Sequence, residues 1–89
     1  MLERDLTLVN KRGLHARAAA ALVKVATRFR ADVRVRLDGR EADGRNIMSV
    51  MMLAASCGTT IRIVVEGEDE AAALEELDAL VADRFGEEE

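Results

Sequence analysis

The sequence contains no proline, tryptophan or tyrosine, and only one cysteine and one histidine in 89 residues. The missing proline argues against a proline-rich ligand segment, and the scarcity of aromatic residues argues against stacking platforms for RNA. A single cysteine excludes an internal disulfide bond, and with one histidine it leaves a zinc site short of its usual ligands. We therefore expect no disulfide framework, no metal, no cofactor and no nucleic-acid partner.

The chain also lacks the sequence features of export and membrane insertion. Its first five residues, Met-Leu-Glu-Arg-Asp, contain no basic region leading into an apolar stretch, and no window approaches the ~20 apolar residues of a membrane span. A length of 89 residues suffices for one domain and is too short for two. The sequence thus predicts a cytoplasmic monomer with one domain at residues 1–86 and a disordered acidic tail at 87–89.

Charge is divided unevenly along the chain. Residues 1–45 carry 11 of the 13 basic residues and 6 of the 17 acidic residues, a net charge of +5, whereas residues 46–89 carry −9. A positive half suits an acidic partner or a phosphorylated group. The alternative is that the acidic excess only solvates the last helix and the tail, which leaves the basic residues near the first helix unexplained.

Hydrophobic periodicity predicts the element order βαββαβα. The predicted elements are a strand at 2–9, a helix at 16–29, strands at 33–37 and 40–43, a helix at 47–55, a strand at 61–66 and a helix at 70–85. Asp38-Gly39 is a strong hairpin signal between the second and third strands, and Asn46 and Asp69 are predicted helix caps. The pattern indicates an α+β fold, an antiparallel sheet with the helices on one face. Cys57, near the end of the second helix, is predicted to be a small buried residue.

The only histidine, His15, stands between the turn residue Gly13 and the first residues of the first helix. The first amides of a helix have no intrahelical acceptors, so the N–H groups of Ala16, Arg17 and Ala18 are free to bind an anion beside this ring. A phosphoryl group on the imidazole would accept hydrogen bonds from these amides and from the Arg17 guanidinium. The spacing therefore predicts a histidine that carries a phosphoryl group.

A lone histidine at a helix start is more often an ordinary surface or capping residue, and that interpretation stays open from spacing alone. No glycine-rich phosphate loop with Lys and Ser/Thr is present, and no Ser-His-Asp set is recognisable. If His15 handles phosphate, another protein must deliver it.

The segment from Asn10 to Arg17, Asn-Lys-Arg-Gly-Leu-His-Ala-Arg, resembles the active-site segment of the HPr family, the histidine-containing phosphocarriers of the bacterial phosphoenolpyruvate-dependent phosphotransferase system. Further matches are Asp38-Gly39, Ile47-Met48, Val50-Met51 and Gly67-Glu68-Asp69-Glu70. The resemblance covers essentially the whole chain. It implies an open-faced β-sandwich, a four-stranded antiparallel sheet with three helices on one face.

The resemblance also implies the roles of individual residues. His15 would accept a phosphoryl group on Nδ1 from phosphorylated enzyme I and pass it to a IIA-type protein, and Arg17 would pair with the phosphate. Ile47, Met48 and Met51 would form an exposed apolar patch for docking, to which flexible Met side chains are suited. The alternative for each of these three is an ordinary place in the core, although the apolar run of this helix exceeds one buried stripe.

The sequence departs from the family pattern at two positions. Ala18 stands where many members have Pro, and since Ala is also compatible with a first helical turn, we expect activity to be kept. Asn46 stands where members regulated by a serine kinase have Ser, so no regulatory serine exists at that position. These departures resemble the nitrogen-related branch more than the sugar-transport branch, and both remain possible.

Two functions of other classes compete with the phosphocarrier. One is a regulatory binding module that acts by occupying its partner, with His15 incidental. The other is a small RNA- or metabolite-binding domain, and for RNA the acidic net charge of −4 and the lack of a Gly-X-X-Gly clamp argue against it.

Overall fold

A computed structural model describes all 89 residues as four strands, three α-helices and a terminal 3-10 turn. The elements are β1 (Leu2–Thr7), α1 (Ala16–Ala26), β2 (Asp32–Leu37), β3 (Arg40–Asp43), α2 (Ile47–Met51), β4 (Thr60–Glu66), α3 (Glu70–Ala82) and the 3-10 turn (Arg84–Gly86). The predicted order βαββαβα is confirmed. None of the helices is long and apolar enough to cross a membrane.

The sheet has the strand order β1-β4-β2-β3, and each neighbouring pair is antiparallel. Val35 of β2 lies opposite Ile63 of β4, and both side chains are fully buried. Their neighbours Arg36 and Arg62 also lie opposite each other, and both are exposed. Because side chains alternate between the two faces of a strand, one face carries the core and the helices while the other meets solvent. The predicted open-faced architecture is confirmed.

Small residues line the buried face of helix α1, which contacts α2 and α3. Ala18, Ala19, Leu22 and Ala26 are all fully buried. The buried stripe therefore runs along residues 18, 19, 22, 23 and 26. The spacing of apolar residues predicts a stripe at 18, 22, 25 and 29, so the two differ toward the C-terminal end of the helix. The predicted stripe members Val25 and Phe29 are only partly buried, and the helix ends at Ala26, so Phe29 packs from the following loop.

Helix α2 is shorter than predicted and ends at Met51 rather than at residue 55. The Arg40 guanidinium on β3 donates hydrogen bonds to the Met52 and Leu53 carbonyls at 3.3 and 2.9 Å. These carbonyls therefore accept hydrogen bonds from outside the helix, which the last carbonyls of a helix need because they have no intrahelical donor. Ala54 then adopts φ +54°, a left-handed conformation that turns the chain away from the helix axis.

The structure corrects two predictions, the capping bond of Asp69 and the burial of Cys57. Asp69 occupies the position before α3 but makes no side-chain capping bond; its carboxylate accepts hydrogen bonds from the backbone N–H groups of Arg30 and Ala31, both at 2.8 Å. The Arg30 amide is the largest cause that lowers the pKa of Asp69, and the Ala31 amide adds to it. Cys57 is exposed rather than buried, because it lies in the loop beyond the shortened α2.

Gly13 lies where the loop that leads into α1 contacts the segment that follows α2. It has φ +62°, and a Cβ there would lie 2.3 Å from the Ala55 carbonyl oxygen and 2.7 Å from Ser56 Cα. The next residue, Leu14, donates its N–H to the same Ala55 oxygen at 2.9 Å. Only glycine permits this close approach in a left-handed conformation, and the approach sets the entry into α1.

Replacement of Gly13 by Ala should destabilise the protein more than replacement of Gly39, which has φ +80° and nothing within 4 Å of its Cβ position. Gly39→Ala should cost about 1 kcal/mol for left-handed backbone alone. Gly13→Ala should cost about 1–3 kcal/mol more, because the backbone of Ala55 and Ser56 must move. Urea unfolding of both variants measures the difference, and equal losses would contradict the close contact.

Candidate functional site

His15 is the N-cap residue of α1. Its backbone is extended (φ −75°, ψ −179°), and its carbonyl accepts the Ala19 N–H at 2.8 Å. Its ring nitrogen Nδ1 accepts the N–H of Arg17 at 3.3 Å. The imidazole thus takes the place of the Ser, Thr or Asp side chain that usually caps a helix, and Nδ1 faces the free amides of the first turn.

The opposite edge of the ring contacts a residue near the other end of the chain. Nε2 of His15 lies 2.5 Å from Oε2 of Glu87. The other carboxylate oxygen, Oε1, accepts a hydrogen bond from the Asn10 amide at 2.9 Å, and the same amide donates to the Gly13 carbonyl at 2.8 Å. Asn10 is fully buried, so it joins the acidic residue, the loop before α1 and the histidine ring in one network.

These two contacts select one protonation state of the ring. A carboxylate can only accept a hydrogen bond, so Nε2 carries the proton. The Arg17 amide can only donate, so Nδ1 presents its lone pair. The geometry therefore describes a neutral imidazole protonated on Nε2, whose nucleophilic nitrogen points toward the helix start. About a quarter of the side chain (23%) remains exposed.

The surroundings of Glu87 lower its pKa and so favour the carboxylate form. Hydrogen bonding from Asn10 is the first cause that lowers the pKa of Glu87. Donation from His15 and the positive charge of Arg17 lower it further, as does the charge of the His15 ring when that ring is protonated, against a desolvation effect that raises it. These contacts therefore favour a negative charge beside Nε2.

Basic and acidic residues line a cleft of about 500 Å³ that includes Glu87 and Arg17, the two residues that contact the ring. Lys11, Arg12 and Arg17 line one side, and residues 85–89 line the other. Lys11 pairs with Glu89 at 3.2 Å, whereas the exposed Arg17 guanidinium forms no salt bridge. An unpaired guanidinium within this cleft is available to an incoming anion.

The structure brings most of the predicted phosphate-binding groups together. The amides of Ala16, Arg17 and Ala18 all precede the first intrahelical hydrogen bond of α1, and the Arg17 amide contacts the ring itself. The Ala18 side chain is fully buried, so only its backbone can take part. No group of three His, Cys, Asp or Glu side chains could hold a metal ion.

The three predicted docking residues differ in exposure. Ile47 is 41% exposed and Met48 65% exposed, whereas Met51 is partly buried and packs against the core. Met52, which the sequence did not single out, is 73% exposed. The apolar patch at α2 therefore consists of Ile47, Met48 and Met52, the residue just after the helix, with Met51 at its margin.

Asn46 caps α2 as predicted, because its Oδ1 accepts the Ser49 N–H at 3.0 Å. The Ser49 hydroxyl accepts the Asp43 N–H at 2.9 Å. The Ser49 hydroxyl is thus hydrogen-bonded to β3, and Asn46 has no hydroxyl group.

Glu87 and Asn10 are the site residues that sequence reasoning missed. The sequence predicts a disordered tail at residues 87–89, but Glu87 contacts the ring and the Glu89 carbonyl accepts the Lys11 N–H at 2.9 Å. That prediction rests on a run of three acidic residues, and composition cannot show that Phe85, buried just before it, anchors the run against the site. The only sequence signal for Asn10 is its place in the segment that resembles HPr.

Comparison with known proteins agrees with this fold. The family described as "PTS HPr component phosphorylation site" matches residues 2–83. The phosphocarrier protein HPr of Cupriavidus necator is 49% identical over 87 residues, which cover 98% of each chain. The crystal structure of HPr from Thermoanaerobacter tengcongensis covers both chains completely, with a TM-score of 0.95 and 37% identity.

An HPr dimer from the same organism covers 98% of this chain and 100% of its own, with a TM-score of 0.78 and 37% identity. The fold and these matches together define a small phosphocarrier domain. The chain belongs to the HPr family of the bacterial phosphotransferase system.

Proposed function

We propose that this protein accepts a phosphoryl group on Nδ1 of His15 from phosphorylated enzyme I and transfers it to a IIA-type protein in the cytoplasm. The observation that carries the proposal is the placement of the ring. The lone pair of Nδ1 faces the start of α1, and the Nε2–H group donates to the Glu87 carboxylate. This arrangement makes Nδ1 the nucleophile of the pair of ring nitrogens.

In the first transfer, a bond forms between Nδ1 and phosphorus while the bond to the donor breaks, and the donor keeps its electron pair. Nε2 retains its proton, so the loaded ring carries a positive charge that faces the Glu87 carboxylate. The first amides of α1 and the Arg17 guanidinium donate hydrogen bonds to the phosphoryl oxygens. In the second transfer the bond from Nδ1 to phosphorus breaks, and the electron pair returns to a neutral ring.

Docking would use two surfaces, the basic residues of the cleft that Glu87 also lines and the apolar patch at α2. The cations Lys11, Arg12 and Arg17 would steer acidic partners toward His15, and Ile47, Met48 and Met52 would supply an adaptable apolar contact. Both proteins must bind and leave in turn, so the contact should be transient. A monomer exposes these surfaces to one partner at a time, and we propose that this is the working state.

Asn46 bears on the pathway that the protein serves. Its amide side chain cannot be phosphorylated, so a serine kinase cannot control the protein at this position. Together with the Met-rich α2, this supports assignment to the nitrogen-related branch.

A second candidate is a binding module that acts by occupancy alone. The exposed patch of Ile47, Met48 and Met52 supports it, because such a patch binds a partner whether or not His15 is modified. The two candidates differ in one observable: regulation of a partner by occupancy persists when His15 is replaced.

His15→Ala should abolish phosphorylation by phosphoenolpyruvate and enzyme I, since the ring that accepts the group is gone. The fold should be kept, because the side chain is partly exposed and lies at a helix end. Intact-mass measurement before and after incubation, with fragmentation of the unaltered protein, locates the added phosphate. Labelling of the folded His15→Ala variant would refute the proposal.

Arg17→Glu should slow transfer by about tenfold, because a charge-assisted hydrogen bond contributes on the order of 1.5 kcal/mol and a like charge replaces it. Arg36→Glu makes the same charge change on the solvent face of the sheet and should leave the rate nearly unchanged. Quench-flow measurement at low and moderate salt checks this, with the Arg17 effect expected to shrink as salt screens the charges. Equal rates for the two variants would count against a role of Arg17.

A further inference from the structure

We propose that Glu87 is a positioning residue that holds the His15 ring in the tautomer protonated on Nε2 and thereby directs phosphorylation to Nδ1. The inference deepens the proposed function and rests on it for its biological meaning. It is built on the contact between Nε2 of His15 and Oε2 of Glu87 at 2.5 Å and on the Asn10 amide that fixes the second carboxylate oxygen.

The hydrogen-bond inventory of this contact admits only a carboxylate. Two donors, the Asn10 amide and Nε2–H of His15, point at the two oxygens of Glu87. A glutamine has one acceptor oxygen and one NH2 group, so it must meet one of the two donors with another donor. The isosteric change Glu87→Gln therefore removes the acceptor of the Nε2–H group while it leaves the size of the side chain unchanged.

The Asn10 amide cannot turn over to accommodate such a change. Its NH2 group also donates to the Gly13 carbonyl, and a reversed amide would direct its oxygen at that carbonyl. In the Glu87→Gln variant Asn10 therefore retains the oxygen of the substituted side chain, and the NH2 group of that side chain faces Nε2. Nε2 can accept from this group only by giving its proton to Nδ1, where the Arg17 N–H opposes it.

Glu87 is also the only acidic side chain that reaches the ring. The other charged groups that face this region are Lys11, Arg12 and Arg17 on the side of α1, and Glu88 and Glu89 beside Glu87. Glu89 pairs with Lys11, and the Glu88 side chain is exposed and forms no salt bridge. Glu88 is therefore a matched control, because Glu88→Gln makes the same change in charge one residue away.

The tautomer can be read directly in the unphosphorylated protein, because the chain has a single histidine and its ring nitrogens give unambiguous signals. In 15N NMR spectra recorded where the ring is neutral, the unaltered protein and Glu88→Gln should show a protonated Nε2 and an unprotonated Nδ1. In Glu87→Gln the two shifts should move toward each other, as the second tautomer becomes populated. A residue that merely stabilised the fold would not produce this signature.

A small phosphoryl donor tests the direction of attack without a docking protein. With phosphoramidate, the bond from Nδ1 to phosphorus forms as the phosphorus–nitrogen bond of the donor breaks and ammonia leaves, while Nε2 keeps its proton. The unaltered protein and Glu88→Ala should yield only the Nδ1 isomer. Glu87→Ala uncovers the Nε2 edge and should yield both isomers, which 31P and 15N NMR distinguish.

Identical ring shifts in Glu87→Gln and the unaltered protein would overturn the proposal, as would an unchanged isomer distribution in folded Glu87→Ala. Neither measurement involves enzyme I. A chain that shows the expected tautomers but is not labelled by enzyme I would support the role of Glu87 while the proposed function failed.

Discussion

The site depends on one imidazole held between two hydrogen bonds of opposite direction. On one edge a helix amide donates to Nδ1 of His15, and on the other Nε2 donates to Glu87. The surrounding structure maintains this arrangement: Gly13 allows the loop to pass close to Ala55, and buried Asn10 joins that loop to the carboxylate. A neutral nucleophile and a place for the anionic product thus come from the same helix start.

Much of this fold could be predicted because its information is local. Alternating residues in β2 and β4 indicate strands with one buried face, and Asp38-Gly39 indicates the hairpin between β2 and β3. The start of α1 beside His15 follows from the turn at Gly13 and the alanine-rich run after it. The free amides of that first turn follow from helix geometry alone. The hydrogen-bond donors that would hold a phosphoryl group could therefore be predicted from the sequence.

The features that the sequence did not predict depend on contacts between residues far apart in the chain. Glu87 lies 72 residues from His15, Asp69 binds amides 38 and 39 residues away, and Arg40 ends α2 from a neighbouring strand. Periodicity and composition cannot reveal such pairs, because an acidic residue after Gly86 has the same local pattern whether it contacts solvent or a histidine. The errors at α2 and Cys57 and the missed contact of Glu87 all have this origin.

The most direct test of the account is the response of the α1 amides to phosphorylation. The 15N-labelled protein is incubated with phosphoenolpyruvate and enzyme I, and amide proton shifts are compared before and after. The amides of Ala16, Arg17 and Ala18 should move downfield far more than any others, as expected for new hydrogen bonds to phosphoryl oxygens. A phosphorylated protein in which these three amides do not move would contradict the central claim that the helix start holds the group.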